Sequence, residues 1–192
     1  MNPVKKSGNE PCKPDGSKYD FNSLCLAGNN ELEEVMRLGT LPDPNDLAGW
    51  EFKGWNTNDI TYLIFNKKFK KGFFKKGTDV VYGYNVVVVQ NHLGEPWIDK
   101  LKGTESIHHG YFEVYPVRLD EIDCKYPNAL LLNYGKPRDN FLLNPARLLR
   151  DYLVKVYPDN PDLYLGKAYA AIGPLRIFQS FFVLERNNRS LH

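Results

Sequence analysis

The sequence predicts a mainly β protein: an antiparallel barrel or strongly curved sheet with one packed amphipathic helix and a short N-terminal helix. Three observations lead there. From Leu47 onward, apolar segments of strand length recur between turn signals. The 192 residues include 12 Tyr, 11 Phe and 3 Trp but only 2 Met, a balance that favours strands over helices. Finally, Val86–Val89 and the last segment, where Ile177, Phe181 and Val183 alternate with Phe178, Phe182 and Leu184, are apolar on both faces. Both sides of such a sheet must escape water, which a barrel covered outside by a helix or loop achieves.

Residues 1–28 are a polar lead-in with the turn signal Pro14-Asp15-Gly16 and little periodic hydrophobicity, expected to lie across the surface of one β-barrel-like domain spanning 29–192. A short helix is predicted over Asn30–Leu38, with Asn30 as cap, Glu31, Glu33 and Glu34 at the positive helix start and Gly39 at its end. Seven strands follow: Ala48–Asn56, Lys68–Lys75, Val80–Asn91, Gly110–Arg118, Asn128–Tyr134, Leu163–Ile172 and Leu175–Arg186, the last two joined at Gly173-Pro174. Asp59–Phe65 suits a helical turn capped by Asn58. A second helix is predicted from Asn144 as cap and Pro145 at the first helical position, because Leu148, Leu149, Tyr152, Leu153 and Val156 have amphipathic spacing.

The net charge of +2, from 25 basic and 23 acidic residues, is too small to give the whole molecule a strong affinity for phosphate backbones, so nucleic acid is not an expected partner. The first residues lack the apolar core of a secretory signal, and no run approaches the length of a membrane span, so a cytoplasmic location is expected. Cys12, Cys25 and Cys124 form no CxxC pair and no zinc spacing. The sequence also lacks a nucleophile elbow, a dinucleotide fingerprint and a P-loop; no cofactor or metal is expected.

Several local features carry chemistry. Lys67, Lys68, Lys70, Lys71, Lys75 and Lys76 surround Phe69, Phe73 and Phe74. Lys67, Lys68, Lys70, Lys71, Phe73 and Phe74 are therefore candidates for contact with an anionic membrane surface, against the plainer reading of lysines guarding an exposed sheet edge. His108-His109, with His92, Glu105 and Glu113 nearby, is the histidine cluster; neighbouring strand residues point to opposite faces, so solvated loop histidines are the plain reading. Gly166, Ala168 and Ala170 make one face of a strand small, leaving room for a closely packed helix, the preferred reading, or for an internal ligand. Polar residues within apolar strands, Tyr84, Asn85, Asn133, Tyr134, Lys167 and Tyr169, are the candidates to orient a ligand inside the barrel, against the plainer reading of ordinary surface alternation and, for the tyrosines, core rings with wet tips.

Trp50 follows Gly49 at the start of the first strand, Gly54 lies four residues on, and Arg186 ends the last strand. This arrangement resembles the lipocalins and wider calycin group, and Trp50-x-x-x-Gly54 resembles the second half of the Gly-x-Trp-x-x-x-Gly motif of some uncharacterised lipocalin-like proteins. The resemblance implies a small antiparallel barrel in which Arg186 stacks on Trp50 to close one end, binding a small hydrophobic molecule without transforming it. Two alternatives stay open: an enzyme of the same barrel type using His108 or His109 with a carboxylate, and a structural or interaction domain whose core is filled by its own side chains.

Overall fold

Side chains alternate along the barrel strands, and the chain buries one apolar surface inside a closed barrel and, over its later strands, a second beneath its own N-terminal segment. The computed structural model describes residues 10–58, 66–77, 80–137 and 145–190. Three short helices, α1 (Phe21–Leu26), α2 (Asn29–Leu38) and α3 (Pro44–Leu47), lead into β1 (Trp50–Asn56), β2 (Lys68–Lys76) and β3 (Val80–Val87). A small hairpin of β4 (Leu101–Lys102) and β5 (Glu105–Ser106) intervenes before β6 (His108–Pro116), β7 (Leu130–Asn133), β8 (Leu149–Lys155), β9 (Leu163–Ile172) and β10 (Leu175–Arg189). The barrel order is β1-β10-β9-β8-β7-β6-β3-β2, with every neighbouring pair antiparallel. It is an eight-stranded up-and-down barrel that leaves no free sheet edge.

Among the described residues, the interior is filled at one end only. Phe52 packs edge-on against Phe73 and Tyr164 at centroid distances of 5.5 and 5.4 Å, and Phe73 against Phe112 at 5.6 Å. Leu130, Leu132, Leu153 and Leu184 complete this fully buried plug. Outside it, two guanidinium groups lie over the Trp50 ring, Arg186 at 4.4 Å and Arg189 at 3.7 Å from the centroid. The expected Trp50–Arg186 stacking is therefore present, and Leu47 of α3 is buried in the same cluster.

The outer face of β8, β9 and β10 carries Tyr152, Val154, Leu165, Phe181 and Val183, covered by Phe21, Leu24 and Cys25 of α1 and Leu32, Val35 and Met36 of α2. Residues 10–28 are thus packed on the barrel: Tyr157 Oη donates to Pro11 O (3.1 Å) and accepts from Tyr19 N (2.6 Å). The α1 helix, absent from the sequence reading, starts with a reciprocal Asp20–Ser23 capping box. For α2, the cap is Gly28 in place of Asn30. At its other end Asn128 donates its amide to Met36 O (3.0 Å) and Gly39 O (2.7 Å), satisfying carbonyls that a helix end leaves open.

Two sequence expectations need correction. The segment expected to be a helix after Pro145 makes a single 3-10 turn (Pro145–Leu148) and then continues as β8. Leu149, Asp151 and Leu153 point inward while Tyr152, Val154 and Val156 point outward, so residues apolar on both faces imitate helical spacing. The proposed cap Asn144 and the helical turn at Asp59–Phe65 lie outside the described residues. The small face of β9 was also misassigned: α2 packs on the opposite face, and Gly166 and Ala168 face the lumen. The three cysteines are free, with Cys25 buried. Among the described residues, no helix is long and apolar enough to cross a membrane.

Candidate functional site

At the end of the barrel away from the aromatic plug, the lumen opens into a cavity of about 330 Å³. Its apolar walls include Phe69, Ala146, Leu149, Ala168 and Phe182, and its polar lining includes Lys71, Asn85, Tyr134 and Asp151, with His109, Gln179 and Ser180. Two glycines keep it open. A Cβ on Gly54 would lie 2.4 Å from the Phe69 ring, and one on Gly166 would lie 2.0 Å from Phe182. Both rings therefore lean against bare backbone, 6.0 Å apart and edge-on, instead of filling the lumen.

The polar groups converge from three strands and from Tyr134, which directly follows β7. Lys71 on β2 donates from Nζ to Asn85 Oδ1 (2.9 Å), to the Tyr134 hydroxyl and to Asp151 Oδ2 (3.3 Å). Tyr134 Oη donates to Asp151 Oδ2 at 3.1 Å. Asn85 donates its amide to Gly110 O at 3.0 Å, and Gly110 adopts a φ of +57°, a left-handed conformation suited to glycine. A Cβ at Gly110 would come within 2.9 Å of that amide nitrogen, so glycine is also needed there for space. Four aromatic rings, those of Phe69, Phe112, Tyr134 and Phe182, lie 4.9–5.4 Å from the Lys71 ammonium.

Burial opposes charge on this cluster. It pushes the Lys71 pKa below the usual lysine range, an effect countered by Asp151, and it raises the Asp151 carboxyl above the usual carboxylate range, countered by Lys71 and Tyr134. Burial and then the Asp151 charge push the Tyr134 phenol well above its ordinary value. Asp151 Oδ1 is buried and, among the described residues, has no hydrogen-bond partner. The cluster can hold the polar end of a small molecule, or pass a proton between carboxyl, phenol and amine.

Of the six residues singled out for ligand contact, Asn85 and Tyr134 line the cavity. Tyr84 and Asn133 cannot join them, since each is adjacent in sequence to one that does and points outward. Tyr84 Oη donates to Glu51 Oε1 (3.0 Å), and Asn133 donates its amide to Tyr115 Oη (2.9 Å). Lys167 and Tyr169 lie on the outer face under α2; Lys167 donates to Tyr126 Oη at 2.8 Å and pairs with Glu33.

The lysine-rich strand is not a cationic surface strip. Lys68, Lys70, Lys71 and Phe73 are buried, and Lys67 and Phe74 are half-buried. The reason is twofold: Lys71 and Phe73 face the lumen, whereas Lys68 and Lys70 lie beneath the connection from β3 to β6. Lys68 Nζ donates to His92 O (2.9 Å) and Glu95 O (2.8 Å) and sits 3.8 Å from the Trp97 centroid, while Lys70 pairs with Asp99 at 2.6 Å. Nor do the lysines guard an edge, because β2 pairs on both sides.

The adjacent histidines lie on β6, not in a loop, and they separate as expected of strand neighbours. His109 stands at the cavity mouth; His108 stacks on Tyr84 at 4.2 Å. Glu113 pairs elsewhere, with Lys136 at 3.0 Å. Among the described residues, no group of three or more His, Cys, Asp or Glu side chains is arranged to hold a metal ion. Crowding around His109 lowers its pKa, and the Lys71 charge and then His108 lower it further, although the residue keeps much of its surface in solvent at the mouth.

Sequence reasoning missed Lys71 and Asp151 as cavity residues. The signal for Lys71 was its alternation with Phe69 and Phe73, which places it on their face of the strand. In comparisons with known proteins, no protein-family model matches the chain. No curated protein matches it in sequence.

Proposed function

We propose that the barrel binds a small, predominantly apolar molecule in its open half, without transforming it. The carrying observation is the coexistence of an apolar-walled cavity with a buried polar cluster at its inner end. A volume of about 330 Å³ lies at the lower end of the usual range for small-molecule sites, and a few convergent polar groups among apolar walls are their usual composition. The wholly filled barrel of a scaffold domain fits this interior less well.

The lipocalin-like reading supports the same function. An eight-stranded up-and-down antiparallel barrel, a Trp50–Arg186 stack at one end and helices packed outside agree with it in architecture. A small-molecule extract of the host cell, added to isotope-labelled protein, tests the proposal by NMR. The expected result is a set of resonance shifts confined to the cavity, with Phe69, Ala168 and Phe182 among them. Shifts scattered over the outer surface, or none, would contradict it.

A further inference from the structure

Resting on the binding function just proposed, the hydrogen-bond inventory of the cluster limits the chemistry of the occupant. An ammonium has three N–H donors, and those of Lys71 have three acceptors in Asn85 Oδ1, the Tyr134 hydroxyl and Asp151 Oδ2. The Tyr134 hydroxyl hydrogen is directed to Asp151 Oδ2, and the Asn85 amide to Gly110 O and, at 3.4 Å, to Tyr134 Oη. The donors of these three side chains are therefore already engaged. Among the described residues, what remains open is an acceptor: Asp151 Oδ1, on a residue only 3% exposed and lining the cavity. A buried acceptor left without a donor is costly, and a hydrogen bond to a charged group is among the stronger kinds.

From this inventory we infer that the occupant carries an uncharged hydrogen-bond donor, of the hydroxyl class, and delivers it to Asp151 Oδ1. A carboxylate head is rejected on two grounds. It would bring a second negative charge beside Asp151, and it would find the Lys71 donors occupied. An ammonium head is rejected because Lys71 Nζ, 3.3 Å from Asp151 Oδ2, already neutralises that carboxylate and repels a second cation. A hydroxyl meets neither objection, and the rest of such a molecule can lie against Phe69, Leu149, Ala168 and Phe182.

The test is an NMR titration of the full chain at neutral pH with four probes of one shape: cyclohexylmethanol, cyclohexanecarboxylate, cyclohexylmethylamine and methylcyclohexane. The alcohol should bind tightest, by about tenfold over the carboxylate and the amine, the factor one charge-assisted hydrogen bond supplies. The paired substitution Lys71→Met with Asp151→Leu removes both buried charges at similar volume. It should erase the preference for the alcohol over methylcyclohexane while leaving the hydrocarbon's binding in place. If the carboxylate, amine or hydrocarbon binds at least as tightly as the alcohol, or if the paired variant keeps the preference, the donor inference is overturned and the binding function stands. If none of the four shifts the cavity resonances, the binding function falls, and the inference with it.

Discussion

Lys71 and Asp151 meet across the full width of the barrel: β2 and β8 are four strands apart in either direction around the ring, yet Nζ and Oδ2 lie 3.3 Å apart. The lysine's long stem crosses the lumen, and the pair acts as a tie between opposite walls where the aromatic plug gives way to the cavity. Desolvating two charges is expensive, and attraction between them offsets that cost only while both are present. Lys71→Met alone or Asp151→Leu alone should therefore destabilise the fold by about 3–5 kcal/mol, whereas the two together should be close to neutral. Urea unfolding of the three variants closes the cycle. Equal, additive losses would mean the charges act independently.

Arg186 is a second test of the architecture, at the opposite end. Its guanidinium stacks on Trp50 and donates to Pro161 O (2.8 Å) and Asp46 O (3.1 Å). Arg186→Ala should lower stability by about 1–3 kcal/mol through the lost stacking and two open carbonyls. Arg186→Lys should recover little of it, because an ammonium lacks the planar fork. The measurement is the midpoint of denaturant unfolding at unchanged slope.

Gly166 tests the claim that the walls leave room in the lumen. A methyl group there would displace the Phe182 ring, which lies 2.0 Å from the Cβ position. Gly166→Ala should cost about 1–3 kcal/mol from overpacking, and should shrink the cavity as the ring swings inward. A crystal structure of the variant with an unchanged lumen would contradict this.

His109 reports the charge on Lys71. Its pKa lies below the ordinary 6.5 because of crowding first and the Lys71 charge second. A base depressed in the folded state binds fewer protons there than in the unfolded chain. Its contribution to stability is thus complete above pH 6.5 and is lost as pH falls through the folded value. NMR titration should place the imidazole below 6.5 in the native protein and higher in Lys71→Met. An unmoved pKa in that variant would mean Lys71 carries no charge.

Much of the barrel was legible because alternation between turn signals is a strong pattern, and each of the seven expected strands has a counterpart. The eighth, β8, was not. Pro145 suits a helix start, and Leu149, Tyr152, Leu153 and Val156 satisfy helical spacing as readily as a strand buried on both faces. That misreading hid Asp151, a buried charged residue on the inward face of the strand. Lys71 was hidden differently: a run of lysines suggests a wet surface, although alternation puts Lys71 on the face of Phe69 and Phe73, and closure of the barrel makes that face the lumen. Tyr84 and Asn133 illustrate the converse, since polar residues in an apolar strand face either side with equal ease, and long-range partners such as Glu51 and Tyr115 decide which.

The account stands or falls on occupancy of the lumen, which native mass spectrometry of protein purified from its own host reads directly when the natural chain is compared with Ala168→Phe. The added ring would occupy the space that Ala168 lines. The natural chain should carry the additional mass of a small molecule, released on unfolding, and the filled variant should be bare. A bound mass in both proteins, or in neither, would contradict a binding site inside the barrel.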